Sequence, residues 1–349
     1  LEILSAASTG TAISIAGTSQ STTYGVVFNY NNPKEILATA GGNISITGVT
    51  TGGTYGIFQS NTDVLAIDGT VTINGGAGIV VTNNGSGLIS DFGYVSGHSS
   101  NGSSLADVVV ITDRLVLNDP LKVSTSGTYT FKPSSDSFLS AITYPISKLT
   151  LTDVTGLTIG HSDNTQAITI GSPTAIAGPI SIFGGNISIN AALTATNSTI
   201  NINSTTSITD GASGYLIADG LALNGAGTVT LDNVNNNVGT IAAGSSGSRI
   251  GALSYFDADD LTIGTVNPTG IYSSGDIKIE TGTGDINLTE NISTTSTSSD
   301  AIILNAGKSS SAGTSTGGDI KVTGTPTITT GTNGIVKLFS GSVAQSTGL

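Results

Sequence analysis

The phrase Gly42-Asn43-Ile44-Ser45-Ile46 returns with small variations along the chain. It recurs as Gly185-Asn186-Ile187-Ser188-Ile189, then in three acidic copies: Gly275-Asp276-Ile277-Lys278-Ile279, Gly284-Asp285-Ile286-Asn287-Leu288 and Gly318-Asp319-Ile320-Lys321-Val322. Looser relatives are Gly69-Thr70-Val71-Thr72-Ile73, Gly227-Thr228-Val229-Thr230-Leu231 and Asp260-Leu261-Thr262-Ile263. Each reads as a strand of period two, apolar on one face and carrying Ser, Thr, Lys or Asn on the other. The leading Gly-Asn or Gly-Asp reads as turn chemistry, because both residue types tolerate left-handed backbone angles.

Working outward from these phrases, the leading apolar positions after Leu149 are Leu157, Ile168, Ile180, Ile187, Ile200, Ile208, Leu221 and Val229. Steps this short leave no room for helical crossovers. Every second step is near 20 residues, from Leu149 to Ile168, Ile187, Ile208 and Val229. A unit of that length holding two or three short strands is the mark of a β-solenoid coil, in which inward Ile, Val and Leu stack in columns. The expected fold is therefore all-β, a parallel β-helix with coils of about 20 residues. Ile168, Ile180, Ile187, Ile200, Leu221, Val229, Ile277 and Ile286 are expected to point inward. A β-sandwich also has short strands, but does not normally repeat one turn-strand phrase so often. A propeller needs blades of roughly 40 to 50 residues with aromatic signatures absent here.

Composition points the same way. Of 349 residues, Thr, Ser, Asn and 48 Gly supply about half; 37% are hydrophobic, 9% charged and 5% aromatic. Disordered chains pair low hydrophobicity with high charge. Leu, Glu, Lys and Ala give way to β-branched residues and turn-formers, which disfavours helices. No stretch approaches the roughly 18 apolar residues of a transmembrane helix. The absence of Cys excludes disulfides, zinc-thiolate sites and thiol catalysis. With net charge −13 and ten basic residues, the chain cannot build the basic face that nucleic acid requires. An acidic, Cys-free and Met-free composition suits an extracellular bacterial surface protein.

Three sections are expected: coils over residues 1–84, an irregular, loop-rich section of the same solenoid over 85–148, and regular coils over 149–349. The middle section holds Gly97-His98-Ser99-Ser100-Asn101-Gly102 and the Pro-punctuated runs Asp119-Pro120 and Tyr144-Pro145. The run Phe131-Lys132-Pro133-Ser134-Ser135-Asp136-Ser137-Phe138 is followed by Gly156-Leu157-Thr158-Ile159-Gly160, Ala167-Ile168-Thr169-Ile170, Ile176-Ala177-Gly178-Pro179-Ile180-Ser181-Ile182 and the Gly185 phrase with Ala192-Leu193-Thr194. This arrangement, over about residues 128 to 200, resembles the repeat arrays of filamentous-haemagglutinin-like bacterial exoproteins. The resemblance implies a right-handed parallel β-helix, secreted and displayed at the cell surface as an adhesin or extracellular fibre. The Asn-Pro-containing motifs of that family's secretion domain have no counterpart in the sequence.

Candidate chemistry is sparse. The densest acidic group is Asp257-Ala258-Asp259-Asp260, beside Tyr255 and Phe256. As strand residues, Asp257 and Asp259 would share one face roughly 6 to 7 Å apart, within the spacing glycoside hydrolysis uses. The alternative is a solvated turn before Leu261-Thr262-Ile263. Asp257, Asp259 and Asp260 are also the candidate ligands for structural calcium, although neither calcium-loop spacing is present. Gly313-Thr314-Ser315-Thr316-Gly317 matches a nucleophile elbow but lacks a following helix, and His98 and His161 read as turn residues. Gly75-Gly76-Ala77-Gly78 reads as a tight turn, since no helix or Lys follows. The Asn-x-Ser/Thr tripeptides at Asn43, Asn84, Asn101, Asn186, Asn197, Asn203, Asn287 and Asn291 suggest stacked side-chain ladders before glycan sites.

The sequence thus leads to a non-enzymatic structural or adhesive rod at the bacterial surface, with no cofactor. Its expected partners are copies of itself and cell-surface glycans or matrix. A self-assembling fibre subunit and a polysaccharide-binding or -cleaving β-helix are the alternatives. Leu1-Glu2-Ile3-Leu4 and Gly334-Ile335-Val336-Lys337-Leu338 both read as ordinary coil strands without caps. Open coils invite edge pairing, so continuation of the chain or head-to-tail stacking is expected there.

Overall fold

The structure, a computed structural model, describes residues 3–20, 24–38, 42–53, 55–66, 68–81, 90–92, 105–311, 313–314 and 316–349. His98, Ser315, the Leu1-Glu2 pair and much of the 85–104 stretch lie outside the described residues. Within them the regular elements are strands, and every pairing between them is parallel. The fold is an all-β parallel β-helix. It divides into two compact units, Leu1–Gln166 and Ala167–Leu349.

In the second unit the expected column is present. Ile168 pairs with Ile187, Ile187 with Ile208 and Ile208 with Val229. The column continues through Leu253, Ile277, Ile302 and Val336, with coils of 24, 24, 25 and 34 residues. The shortest coils, 19 to 21 residues, are those in which the strands are joined by the fewest intervening residues. A second column runs Ile180, Ile200, Leu221, Ile241, Ile263, Leu288 and Val322. All eight residues expected to face inward are at most 2% exposed. Burying each such side chain contributes roughly 1.5–3 kcal/mol, and each coil seals the apolar edge of the next.

The first unit uses the same principle with longer coils. Ile13, Ile44, Val71, Val108, Tyr129 and Leu157 stand in register, 21 to 37 residues apart. A second column joins Val26, Ile57, Ile79 and Leu115. The strands Asp107–Thr112 and Thr128–Lys132 therefore carry the coil through the loop-rich section. An excursion follows Lys132, where Phe138 folds back to stack on Phe131 at 4.8 Å and Asp113 Oδ1 accepts the Ser134 and Ser135 N–H groups. Leu149 departs from expectation. It pairs with Leu121 and not with Ile168, because strand Leu149–Thr152 belongs to a different face of the coil.

The repeated Gly-Asn and Gly-Asp phrases also work differently from the sequence reading. Of their glycines only Gly318 has a left-handed backbone (φ 77°), and none of their Asn or Asp residues does. Gly284 is required by close approach: a Cβ there would meet the Asp259 carbonyl carbon at 2.1 Å and the Asp260 nitrogen at 2.2 Å. The acidic or amide side chain ties one coil to the next. Asn43 Oδ1 accepts the Thr70 N–H at 2.8 Å, Asp285 Oδ1 accepts the Asp319 N–H at 2.8 Å, and Asn186 Oδ1 accepts the Ser207 hydroxyl at 2.9 Å; outside the phrases, Asn291 Oδ1 accepts the Thr327 N–H at 2.7 Å.

Buried hydroxyls do the same at strand exits. Thr125 Oγ1 donates to the Ala106 carbonyl and accepts the Gly127 N–H at 3.0 Å. Ser204, Ser273 and Thr294 repeat the arrangement, donating to the carbonyls of Gly185, Gly251 and Gly275 and accepting the N–H two residues ahead. Each receiving carbonyl lies one coil back, so a side chain that the composition assigns to the surface serves as an interior tie.

Candidate functional site

The Asp257 group lies where strand Leu253–Asp257 ends. Strand alternation turns Leu253, Tyr255 and Asp257 inward and Ser254 and Phe256 outward. The chain bends immediately after Asp257, so Asp259 does not inherit its direction. Asp257 is fully buried, whereas Asp259 and Asp260 are exposed. The expected shared face for Asp257 and Asp259 does not form, because it assumed a strand continuing past residue 257.

Each carboxylate has its own occupation. Asp257 Oδ2 accepts the Tyr255 hydroxyl at 2.6 Å and the Val238 N–H at 2.9 Å, while Oδ1 accepts the Asp259 N–H at 3.2 Å. Burial pushes the Asp257 carboxyl up to about 7, against the pull of those three hydrogen bonds. Burial, and then the Asp257 charge, push the Tyr255 phenol well above its usual range. Asp259 Oδ2 accepts from the Asn237 amide at 2.9 Å, and Asp260 Oδ1 accepts the Asp285 N–H at 2.7 Å. Among the described residues no three His, Asp or Glu side chains are grouped so as to hold a metal ion. The Asp257, Asp259 and Asp260 carboxylates thus face separate partners, and each reaches a neighbouring coil.

The outer side of the same wall is more open. Phe256 pairs in register with Glu280, and Glu280 with Asn305. A shallow depression of about 330 Å³ lies over them, lined by Asp232, Val234, Phe256, Lys278, Glu280 and Lys308 among others. Glu280 is 6% exposed and accepts from Lys278 Nζ at 2.7 Å and Lys308 Nζ at 2.8 Å. Burial pushes its carboxyl up, but the two lysine hydrogen bonds outweigh burial and hold it below the usual range. The Lys308 ammonium also stands 5.9 Å from the Phe256 ring centre. Glu280 is thus held ionised, and Asp257, whose carboxyl burial pushes up to about 7, points into the opposite side of the wall. A facing acid and base are not assembled from this pair.

No protein family, curated protein or solved structure matches the chain.

Of the remaining candidates, His161 belongs to a turn. Its Nδ1 accepts the Asp163 N–H at 3.2 Å, and Nε2 lies 3.0 Å from the Ser135 carbonyl. Gly75–Gly78 closes a tight turn through the Gly78 N–H and Gly75 carbonyl at 3.1 Å. Asn186 and Asn43 hold the neighbouring coil through Ser207 Oγ and the Thr70 N–H. The sequence reading missed the Lys278–Glu280–Lys308 group. Its signal was present: Lys278 and Glu280 alternate with apolar Ile277 and Ile279, and Lys308 follows Glu280 by a little more than one coil.

Proposed function

We propose that the chain is a non-enzymatic structural and adhesive scaffold of a bacterial cell surface. The observation that carries this reading is the use made of its polar residues. The carboxylates of Asp257, Asp260 and Asp285, the amides of Asn43 and Asn291 and the hydroxyls of Ser204, Ser273 and Thr294 hold coil to coil. Parallel ladders along a coil stack resist deformation, and the acidic outer surface keeps it dispersed. The likeness of residues 128 to 200 to filamentous-haemagglutinin-like repeats supports display outside the cell. A polysaccharide-binding role is the second reading, favoured by the open depression over Phe256 and Glu280.

Beads coated with the purified chain test the proposal. Adhesion to host-cell, matrix or glycan surfaces above that of albumin-coated beads is the expected result. Release of reducing ends or unsaturated products from acidic or neutral polysaccharides would overturn the non-enzymatic reading.

A further inference from the structure

In the first unit, the register that joins Val26, Ile57, Ile79 and Leu115 places the residues just before them at one corner of successive coils. Tyr24 and Tyr55 occupy that corner in two neighbouring coils. Their ring centres are 6.4 Å apart and 29° from parallel, and Tyr24 also meets Phe58 at 5.1 Å. The next coil offers Ala77 and Gly78 there, with no ring. The coil after that supplies Arg114, whose backbone carbonyl accepts the Ile79 N–H at 2.8 Å. Its guanidinium reaches back across the gap to lie 5.5 Å from the Tyr55 ring centre. The three rings are half-buried and Arg114 is exposed.

Arg114 is unlike most other cations of the chain. Lys278 and Lys308 are held by Glu280, Lys321 by Asp285 and Lys337 by Asp300, while Arg249 donates to the Ser273 and Ser293 carbonyls. Among the described residues the Arg114 guanidinium has no hydrogen-bond acceptor and no ion-pair partner. Its neighbour Asp113 is turned to the Ser134 and Ser135 N–H groups instead. The tyrosine ring orients the planar fork, and its donors remain unused. The Tyr24 and Tyr55 hydroxyls likewise have no protein partner among the described residues.

We propose that Tyr24, Tyr55, Phe58 and Arg114 form a subsite for one sugar ring that bears an anionic substituent, carboxylate or sulfate, within an acidic glycan. The half-buried, stacked rings offer apolar edges beside the Tyr24 and Tyr55 hydroxyls, which suits a pyranose that carries both C–H groups and hydroxyls. The guanidinium fork pairs with two oxygens of one anionic group. A neutral sugar would leave that fork unused. A polyanion such as nucleic acid would meet one cation and a chain of net charge −13. This inference rests on the adhesive reading above and names its ligand class.

Titration of the full chain with a galacturonate tetramer, a sulfated galactose tetramer and a neutral galactose tetramer tests it. The chain holds no Trp and nine Tyr, so calorimetry is the main readout, with the part of the tyrosine quenching that Tyr55→Ala removes as the second. Binding of at least one anionic tetramer near 0.1 mM, in order of magnitude, and roughly tenfold or more above the neutral one, is expected. Preference for galacturonate names carboxylate as the source, and preference for the sulfated tetramer names sulfate. Arg114→Gln and Tyr55→Ala should each weaken it roughly tenfold or more, and Tyr55→Phe, which keeps the ring, much less. Lys132→Gln removes the same charge at a residue with no ring contact among the described residues, and should change nothing. Equal binding of the neutral tetramer, equal loss in Lys132→Gln and Arg114→Gln, or no anionic binding up to about 10 mM would each overturn the proposal. Melting curves check that the variants fold, and Arg114→Lys, which keeps charge without the fork, should bind between wild type and Arg114→Gln. Beads that adhere equally well with Arg114→Gln would sink this subsite and leave the adhesive reading standing. Arg114-dependent sugar binding without bead adhesion would do the reverse.

Discussion

Replacing Asp257 with Asn should remove a pH dependence from the stability of the fold. In the folded chain the buried Asp257 carboxyl keeps its proton to about pH 7, whereas its ordinary pKa is 3.8. Between these values the folded state binds a proton that the unfolded state has released. Stability is therefore fully present below pH 3.8, falls by about 1.4 kcal/mol per pH unit above it, and stops falling above pH 7. Across the whole window the loss is about 4 kcal/mol. Asn cannot ionise, and its oxygen still accepts the Tyr255 hydroxyl and the Val238 N–H. Its amide group would face the Asp259 N–H, which costs about 1 kcal/mol. The variant should therefore be slightly more stable than wild type at pH 5 and about 3 kcal/mol more stable at pH 8. Urea unfolding followed by tyrosine emission at both pH values measures this. Asp210 and Glu280 titrate in both proteins, so the difference between them isolates Asp257. A gap that stays constant from pH 5 to pH 8, or that moves in favour of wild type, would refute the reasoning.

Other expectations rest on single contacts. Ile187→Asp places a charge in a column where Ile187 is 0% exposed, and should cost several kcal/mol, read as a melting temperature lower by about 10 °C or more. Ser273→Ala leaves the Gly251 carbonyl and the Gly275 N–H without their shared hydroxyl; a loss of about 1–3 kcal/mol in denaturant unfolding is expected. Gly284→Ala drives a methyl group into the Asp259–Asp260 backbone and should destabilise by more than about 1 kcal/mol, where a strain-free Gly→Ala change would stabilise, checked by calorimetric melting. Chelation with EDTA should leave the melting curve unchanged, because Asp257, Asp259 and Asp260 already accept hydrogen bonds from separate donors.

The fold was largely legible because its signals are local and periodic. Alternation in Ile187-Ser188-Ile189 decides which side chains can share a face, and the spacing of Ile168, Ile187, Ile208 and Val229 equals the observed coil. Hydrophobic burial then has one economical solution, coil upon coil. The site was less legible. Asp257 and Asp259 look alike in sequence, yet one faces the core and the other solvent, because the strand ends between them.

The amino-acid sequence by itself determined the strand type, the inward Ile, Val and Leu positions and the coil period from Ile168 to Val229, since these follow from side-chain alternation and apolar burial within a few residues, while the longer coils elsewhere did not follow from it. Tertiary structure decided what lies one coil away. It placed Leu149 beside Leu121, sent the Ser204 and Ser273 hydroxyls to carbonyls of the preceding coil, and gathered Lys278 and Lys308 on Glu280. It also brought Arg114 over Tyr55 across a coil that presents no ring there. Loop lengths between strands set which residues meet, and the dielectric of the closed coil sets the titration of Asp257. Neither quantity exists until the coils are stacked.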